Sequence, residues 1–242
     1  VSEGPIGVLA EGAGGAAVAR ALLACLPSED VVVLADHAYA PYARKAARVV
    51  ADRAPRMAAE LVTLGAKLLV VASLQATDDA LDAVAAAAGV PTLGLEATLP
   101  SAAVRASTGR IGFLYAAGTL REGPWLRANR FQRGGGEVVA LAWEGLAASI
   151  EAGRLPVDAA EQVGRVRDAG ADVLVLGCPY AVAARPAVEP LLGDLVLVDA
   201  ADVAVERVRT HLVRHAGLVR ARRRAGRIRT VTTHPARAQG GL

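Results

Sequence analysis

Short apolar runs alternate along the chain with longer stretches in which Ala, Val and Leu recur at helical spacing. The run Ile6 to Leu9 stops at Glu11-Gly12-Ala13-Gly14-Gly15 and gives way to the Ala/Leu-rich stretch Ala16 to Leu26, a pattern that predicts a strand, a tight turn and a helix. Val31 to Ala35 reads as a second buried strand, Ala46 to Leu64 as a helix, and Leu68 to Ala72 as a third strand. Asp78 to Ala88 reads as another helix and Thr92 to Leu95 as a fourth strand. Strands without a polar face, alternating with helices, predict a mainly parallel sheet covered on both sides.

The pattern then restarts. Pro5-Ile6-Gly7-Val8-Leu9 is echoed by Arg110-Ile111-Gly112-Phe113-Leu114, and the stretch Gly65 to Ser73 by Gly170 to Cys178, both echoes standing 105 positions apart. One offset shared by two separate stretches indicates an internal duplication. The expected fold class is therefore α/β, with two pseudo-symmetric, doubly wound domains, mainly parallel sheets and a cleft between them. Residues 1–97 with a C-terminal return at 205–242 would form the first domain and residues 98–204 the second.

Composition narrows the function classes. A 53% hydrophobic content is ample for a buried core, while 3% aromatics supply little stacking surface for single-stranded nucleic acid. No run approaches the roughly 18 apolar residues of a membrane span, and the first residues lack the pattern of a signal peptide, so a cytoplasmic protein is expected. Cys25 and Cys178 show no paired spacing and read as free thiols, Cys25 as a small buried helix residue. The net charge of +3 is local: Arg220 to Arg229 alone holds six arginines. That run reads first as a solvated connector or helix face, and only second as a contact for nucleic acid or an acidic partner. His211 and His215 share a helix face without a third ligand, so surface histidines are expected and no metal site.

Ligands of open parallel sheets bind beyond the carboxyl ends of the strands. Ser73 and Cys178 each stand one residue past such a strand, at duplicated positions. Facing each other across the cleft, a hydroxyl and a thiol could address one carbon from both sides. Glu11, beside the glycine turn, is either a cleft base or a carboxylate favoured by a helix N-terminus. Taken alone, Gly12-Ala13-Gly14-Gly15-Ala16-Ala17 followed by Asp36 also fits a dinucleotide-binding fingerprint.

These residues resemble the glutamate racemases of the aspartate/glutamate racemase superfamily, over nearly the whole chain. The family's opening Asp-Ser-Gly-x-Gly-Gly is matched by Ala10 to Gly15 and its Pro-Tyr-Gly by Pro41-Tyr42-Ala43. Its Ala-Cys-Asn-Thr-Ala falls on Ala72-Ser73-Leu74-Gln75-Ala76, and its Gly-Cys-Thr-His on Gly177-Cys178-Pro179-Tyr180. A family-like tail recurs at Thr232-Thr233-His234-Pro235. The resemblance implies a cofactor-free isomerase in which two cysteines work on opposite faces of an amino acid's α-carbon. Here Ser73 replaces the first cysteine, Ala10 an assisting Asp, Glu11 the Ser beside it, and Tyr180 the His beside the second cysteine.

By this resemblance Cys178, Ser73 and Glu11 are the catalytic candidates. Pro41, Tyr42, Gln75, Ala76, Thr119 and Tyr180 are the substrate-binding ones, for a small carboxylate or amino acid. A homodimer is compatible with it. Three alternatives stand beside this reading: a catalytically silent descendant acting as a binding or regulatory protein, a single-cysteine decarboxylase like the arylmalonate decarboxylases of the same superfamily, and a dinucleotide-binding protein.

Overall fold

The computed structural model describes residues 4–95, 99–118, 137–215 and 225–234. The first half runs β1 (Ile6–Ala10), α1 (Gly15–Cys25), β2 (Val31–Ala35), a 3-10 turn at Tyr42–Arg44, α2 (Ala47–Thr63), β3 (Leu68–Ala72), α3 (Leu74–Ala88) and β4 (Thr92–Gly94). The second continues with α4 (Leu99–Ala106), β5 (Arg110–Ala116), β6 (Glu137–Trp143), α5 (Leu146–Glu151), α6 (Ala159–Asp168), β7 (Ala171–Leu176), α7 (Pro179–Ala183), α8 (Arg185–Val188), β8 (Val196–Asp199) and α9 (Ala200–Arg214). A last strand, β9 (Ile228–Thr232), follows.

Two sheets result, ordered β4-β3-β1-β2-β9 and β6-β5-β7-β8. Every pairing in both is parallel. Matching β1 to β5 and β3 to β7, the order β4-β3-β1-β2 of the first sheet repeats as β8-β7-β5-β6 in the second. β9 returns to the first sheet and pairs with β2 from Val31↔Ile228 to Ala35↔Thr232.

The duplication extends to packing. A Cβ on Gly7 would lie 3.0 Å from Ala66 Cβ and 3.5 Å from Leu61 Cδ2. One on Gly112 would lie 3.4 Å from Ala171 Cβ and 2.6 Å from Val166 Cγ1. These are the same three positions in each half, so a close strand-to-helix approach has been kept twice. Gly65 and Gly170, which end the helices leading into β3 and β7, both take positive φ, +90° and +71°, a conformation costly for any residue with a Cβ.

β1, β2 and β3 are buried along their whole length, as parallel strands with both faces covered must be. On one side α2 lays down Val50, Ala54, Met57, Ala58 and Leu61, a helical stripe. On the other, α1 belongs to a continuous core that runs from Ile6, Val8 and Val18 through to Ile111, Val175 and Val208. A buried ion pair, Lys67 Nζ to Glu29 Oε2 at 2.6 Å, sits at the amino end of the first sheet.

Several boundaries and one burial differ from the sequence expectation, those of β1, α1 and α2 by a single residue at an end. The helix after β3 starts at Leu74 rather than Asp78, because the Ser73 hydroxyl caps it at once, accepting from Ala76 N–H at 3.2 Å. β4 closes at Gly94, one residue early. Cys25 is exposed rather than buried, because the buried residues of α1 stop at Leu22, one turn before the helix ends. Within the arginine run, Arg220 to Arg224 lie outside the described residues, and Arg229 lies in β9. Among the described residues no helix is long and apolar enough to cross a membrane.

Gly177, between β7 and Cys178, is covered by the Phe113 ring, which fills the space a Cβ would need. Gly177→Ala is expected to lower stability by about 1–3 kcal/mol through overpacking. Gly164→Ala, in α6 where a Cβ would meet nothing within 4 Å, is expected to raise it by roughly 0.5–1 kcal/mol. Urea unfolding of the two variants checks this opposition of sign.

Candidate active site

Cys178 and Ser73 are built alike. Each leaves a buried parallel strand and becomes the N-cap of the next helix, with its own side chain accepting a helix N–H. Ser73 Oγ accepts from Ala76 at 3.2 Å and Cys178 Sγ from Ala181 at 3.5 Å. The sulfur has a further donor, Ala116 N–H at 3.3 Å from the end of β5. Two backbone N–H groups aimed at a buried sulfur stabilise negative charge there.

Glu11 occupies the corresponding place after β1 and is buried. Its Oε2 accepts Tyr42 N–H at 2.6 Å, and it also takes a hydrogen bond from the Ser73 hydroxyl. Burial pushes its carboxyl up from 4.5 to about 7. The Tyr42 and Ser73 hydrogen bonds oppose that rise, and the charges of Glu151 and Asp36 add to it. At neutral pH, Glu11 can therefore either hold or take a proton.

Glu151, at the end of α5, reaches across to the first half. Its Oε1 accepts Ala13 N–H at 2.8 Å, from the glycine turn, and the Tyr180 hydroxyl at 2.8 Å. His37 Nε2 faces its Oε2 at 3.3 Å, off the line of a hydrogen bond. Burial works against this carboxylate, yet the close His37 ring and the hydrogen bonds of Ala13 and Tyr180 prevail and hold it at about 2. Burial, then the charges of Glu11 and Glu151, push the Tyr180 phenol far up, so it serves as a donor.

The glycines of the turn have a steric reason. A Cβ on Gly12 would collide with Glu151 Oε1 and the Tyr180 hydroxyl, and one on Gly14 would come within 2.8 Å of the Pro179 carbonyl carbon. The turn thus binds a carboxylate, as expected of such a turn, but one belonging to the protein. Asp36 is committed as well. Arg53 donates to both its oxygens at 2.9 Å, the Tyr42 hydroxyl to Oδ2 at 2.7 Å, and Thr233 to Oδ1 at 2.7 Å. Burial would raise its carboxyl, but the hydrogen bonds of Arg53, Thr233 and Tyr42 outweigh that and keep it low. An Asp so engaged does not present itself to a ribose.

The structure therefore gathers Cys178, Ser73, Glu11 and Tyr180, with Ala76 contributing its backbone N–H. Tyr42 contributes its backbone N–H too, while its phenol turns away to Asp36 and Met57. Gln75 is buried and donates to Asp79 at 2.8 Å, along its own helix. Pro41 precedes the 3-10 turn that carries Tyr42. Thr119 lies outside the described residues. Glu151 and His37 were not anticipated. His37 stands two residues past β2, as Cys178 stands two past β7, so its place near a strand end also marks it, whereas nothing in the local sequence marks Glu151. The tail residues Thr232 and Thr233 serve this cluster, Thr232 Oγ1 lying 2.9 Å from His37 Nδ1.

Residues 13–208 match the family of Asp/Glu/hydantoin racemases. The chain belongs to that family. Within it, the glutamate racemase of Cupriavidus pinatubonensis is 33% identical over 223 residues, covering 89% of this chain and 81% of that protein. The glutamate racemase of Deinococcus radiodurans is 32% identical over 238 residues, covering 95% and 81%. Among solved structures, the racemase of Francisella tularensis in complex with D-glutamate gives a TM-score of 0.78 at 22% identity, covering 97% of this chain and 89% of that one. The fold is that of the glutamate racemases, with its two parallel sheets.

Because the folded Glu11 pKa lies above the unfolded value, its contribution to stability is full below pH 4.5 and lost as pH rises through about 7. The loss approaches about 3 kcal/mol. Glu151, held low, acts in the opposite sense and in another window: its contribution is full above pH 4.5 and lost toward about 2. Urea unfolding between pH 5 and 8 should show falling stability, and Glu11→Gln should flatten most of that slope. The remainder would come from Asp199, which burial raises to about 6. An unchanged slope in the variant would contradict this assignment.

Proposed function

We propose that this racemase-family chain moves a proton, without a cofactor, at the α-carbon of a small carboxylate or amino acid, with Cys178 as the acid/base. The observation that carries the reading is the Cys178 sulfur held between two backbone N–H groups at the position duplicated by Ser73. Its relatives are glutamate racemases, so glutamate is the first compound to try.

As a thiolate, Cys178 takes the α-proton from one face. The electron pair left behind delocalises into the carboxylate, flattening the carbon. The opposite face belongs to Ser73 and Glu11. A serine hydroxyl is a weak acid and needs a partner, and Glu11, hydrogen-bonded to it and near neutral in pKa, is that partner. The proton returns through the Ser73 hydroxyl, which is re-protonated from Glu11. Loss of the family's first thiol is thereby offset by a carboxyl at the preceding strand end. A cytoplasmic setting, where free thiols persist, accords with this chemistry.

The test is proton NMR of D- and L-amino acids incubated with the enzyme in deuterated water. Exchange of the α-proton with inversion is expected, and Cys178→Ala should reduce it at least ~1,000-fold while the fold remains intact. Glu11→Gln should preserve exchange on the Cys178 face while slowing inversion by roughly 100-fold. Exchange that survives Cys178→Ala would exclude the thiol mechanism.

A further inference from the structure

The interior of the site is acidic, and its carboxylates have already gathered the donors around them. Glu11 holds the Tyr42 N–H and the Ser73 hydroxyl. Glu151 holds the Ala13 N–H and the Tyr180 hydroxyl. Asp36 holds Arg53, Tyr42 and Thr233. A substrate carboxylate pushed in among these groups would meet like charge, with those donors already taken.

Arg44 is placed differently. It ends the 3-10 turn that begins at Tyr42, and it is exposed. Among the described residues its guanidinium makes no ion pair and no hydrogen bond. It nevertheless crosses to the second half: Nε and Nη2 each stand 3.6 Å from where a Cβ of Gly118 would be. Gly118, at φ +72°, lies two residues beyond Ala116, whose N–H meets the Cys178 sulfur. An uncommitted guanidinium thus overhangs the strand end that serves the reacting thiol, and a guanidinium fork suits a carboxylate better than any other side chain does.

Resting on the proton-transfer reading above, we propose that the site selects amino acids with a single carboxylate, held at the cleft rim by Arg44, and disfavours a second carboxylate in the side chain. The side chain faces Glu11 and Glu151, where neutral or cationic groups are accepted. This separates the chain from relatives named for glutamate, and the separating residues are Glu11 on the inside and Arg44 at the rim.

Isothermal titration of D- and L-methionine, D- and L-norvaline, methionine amide and D- and L-glutamate into the full chain tests this independently of turnover. The monocarboxylates should bind, and Arg44→Ala should weaken them roughly 10- to 100-fold, with Arg44→Lys recovering part of the loss. Methionine amide, lacking the carboxylate, should bind the wild type and Arg44→Ala equally. Glutamate should bind the wild type at least about tenfold more weakly than norvaline and gain affinity in Glu11→Gln. Equal binding of monocarboxylates to wild type and Arg44→Ala would overturn the proposal. So would wild-type affinity for glutamate matching that for norvaline, or no binding by any monocarboxylate. Binding as expected with no α-proton exchange would remove the reaction and leave the carboxylate selection standing.

Discussion

The carboxylate of Glu151 is the group on which the arrangement of the site depends. It stands on the second half but takes the Ala13 N–H of the first half's glycine turn, faces His37 of the same half, and receives the Tyr180 hydroxyl beside the thiol. Even a partly buried carboxylate is costly unless several donors meet it, and here donors from both halves do. The turn can approach closely because Gly12 and Gly14 have no side chains there. The relative placement of the Ser73 wall and the Cys178 wall follows from that one junction.

The two walls are equivalent in backbone and unequal in chemistry. Each ends a parallel strand with a capping side chain on the next helix, so the scaffold delivers a polar atom to the same place twice. On the second wall the atom is sulfur between two N–H groups. On the first it is a hydroxyl hydrogen-bonded to Glu11. Burial raises both glutamates, and their partners decide the outcome: with two donors and two like charges nearby Glu11 keeps its proton readily, whereas Glu151, with donors from both halves, stays ionised.

The fold was legible in the sequence because apolar runs of strand length and Ala-rich helical stretches repeat in the same order. The 105-residue offset that links Ser73 to Cys178 holds for the packing of Gly7 and Gly112 as well. Local capping moved the start of α3, since Ser73 prefers an N-cap to a loop. The site was half legible. Glu11 and Ser73, directly after β1 and β3, and Cys178, two residues past β7, were marked as candidates by position. Glu151 did not, because it closes a six-residue helix and owes its place to a contact 138 residues away in sequence. Tyr42 and Gln75 were marked by motif, but hydrogen bonds to Asp36 and Asp79 direct their side chains elsewhere, which only three-dimensional neighbours reveal.

The return of β9 to the first sheet has a consequence for biosynthesis. A chain emerging from its N-terminus completes β1 to β4 long before residues 228–232 exist, so during translation β2 is a bare edge with unpaired N–H and C=O groups. Val31 to Leu34 on that edge are the kind of sequence that pairs with other chains when left open. The second half must be made before the first can be sealed, and Thr233, arriving with β9, delivers the last hydrogen bond to Asp36. The ribosome thus releases one of the two outer strands of the first sheet, β9, only after the wall that carries the thiol.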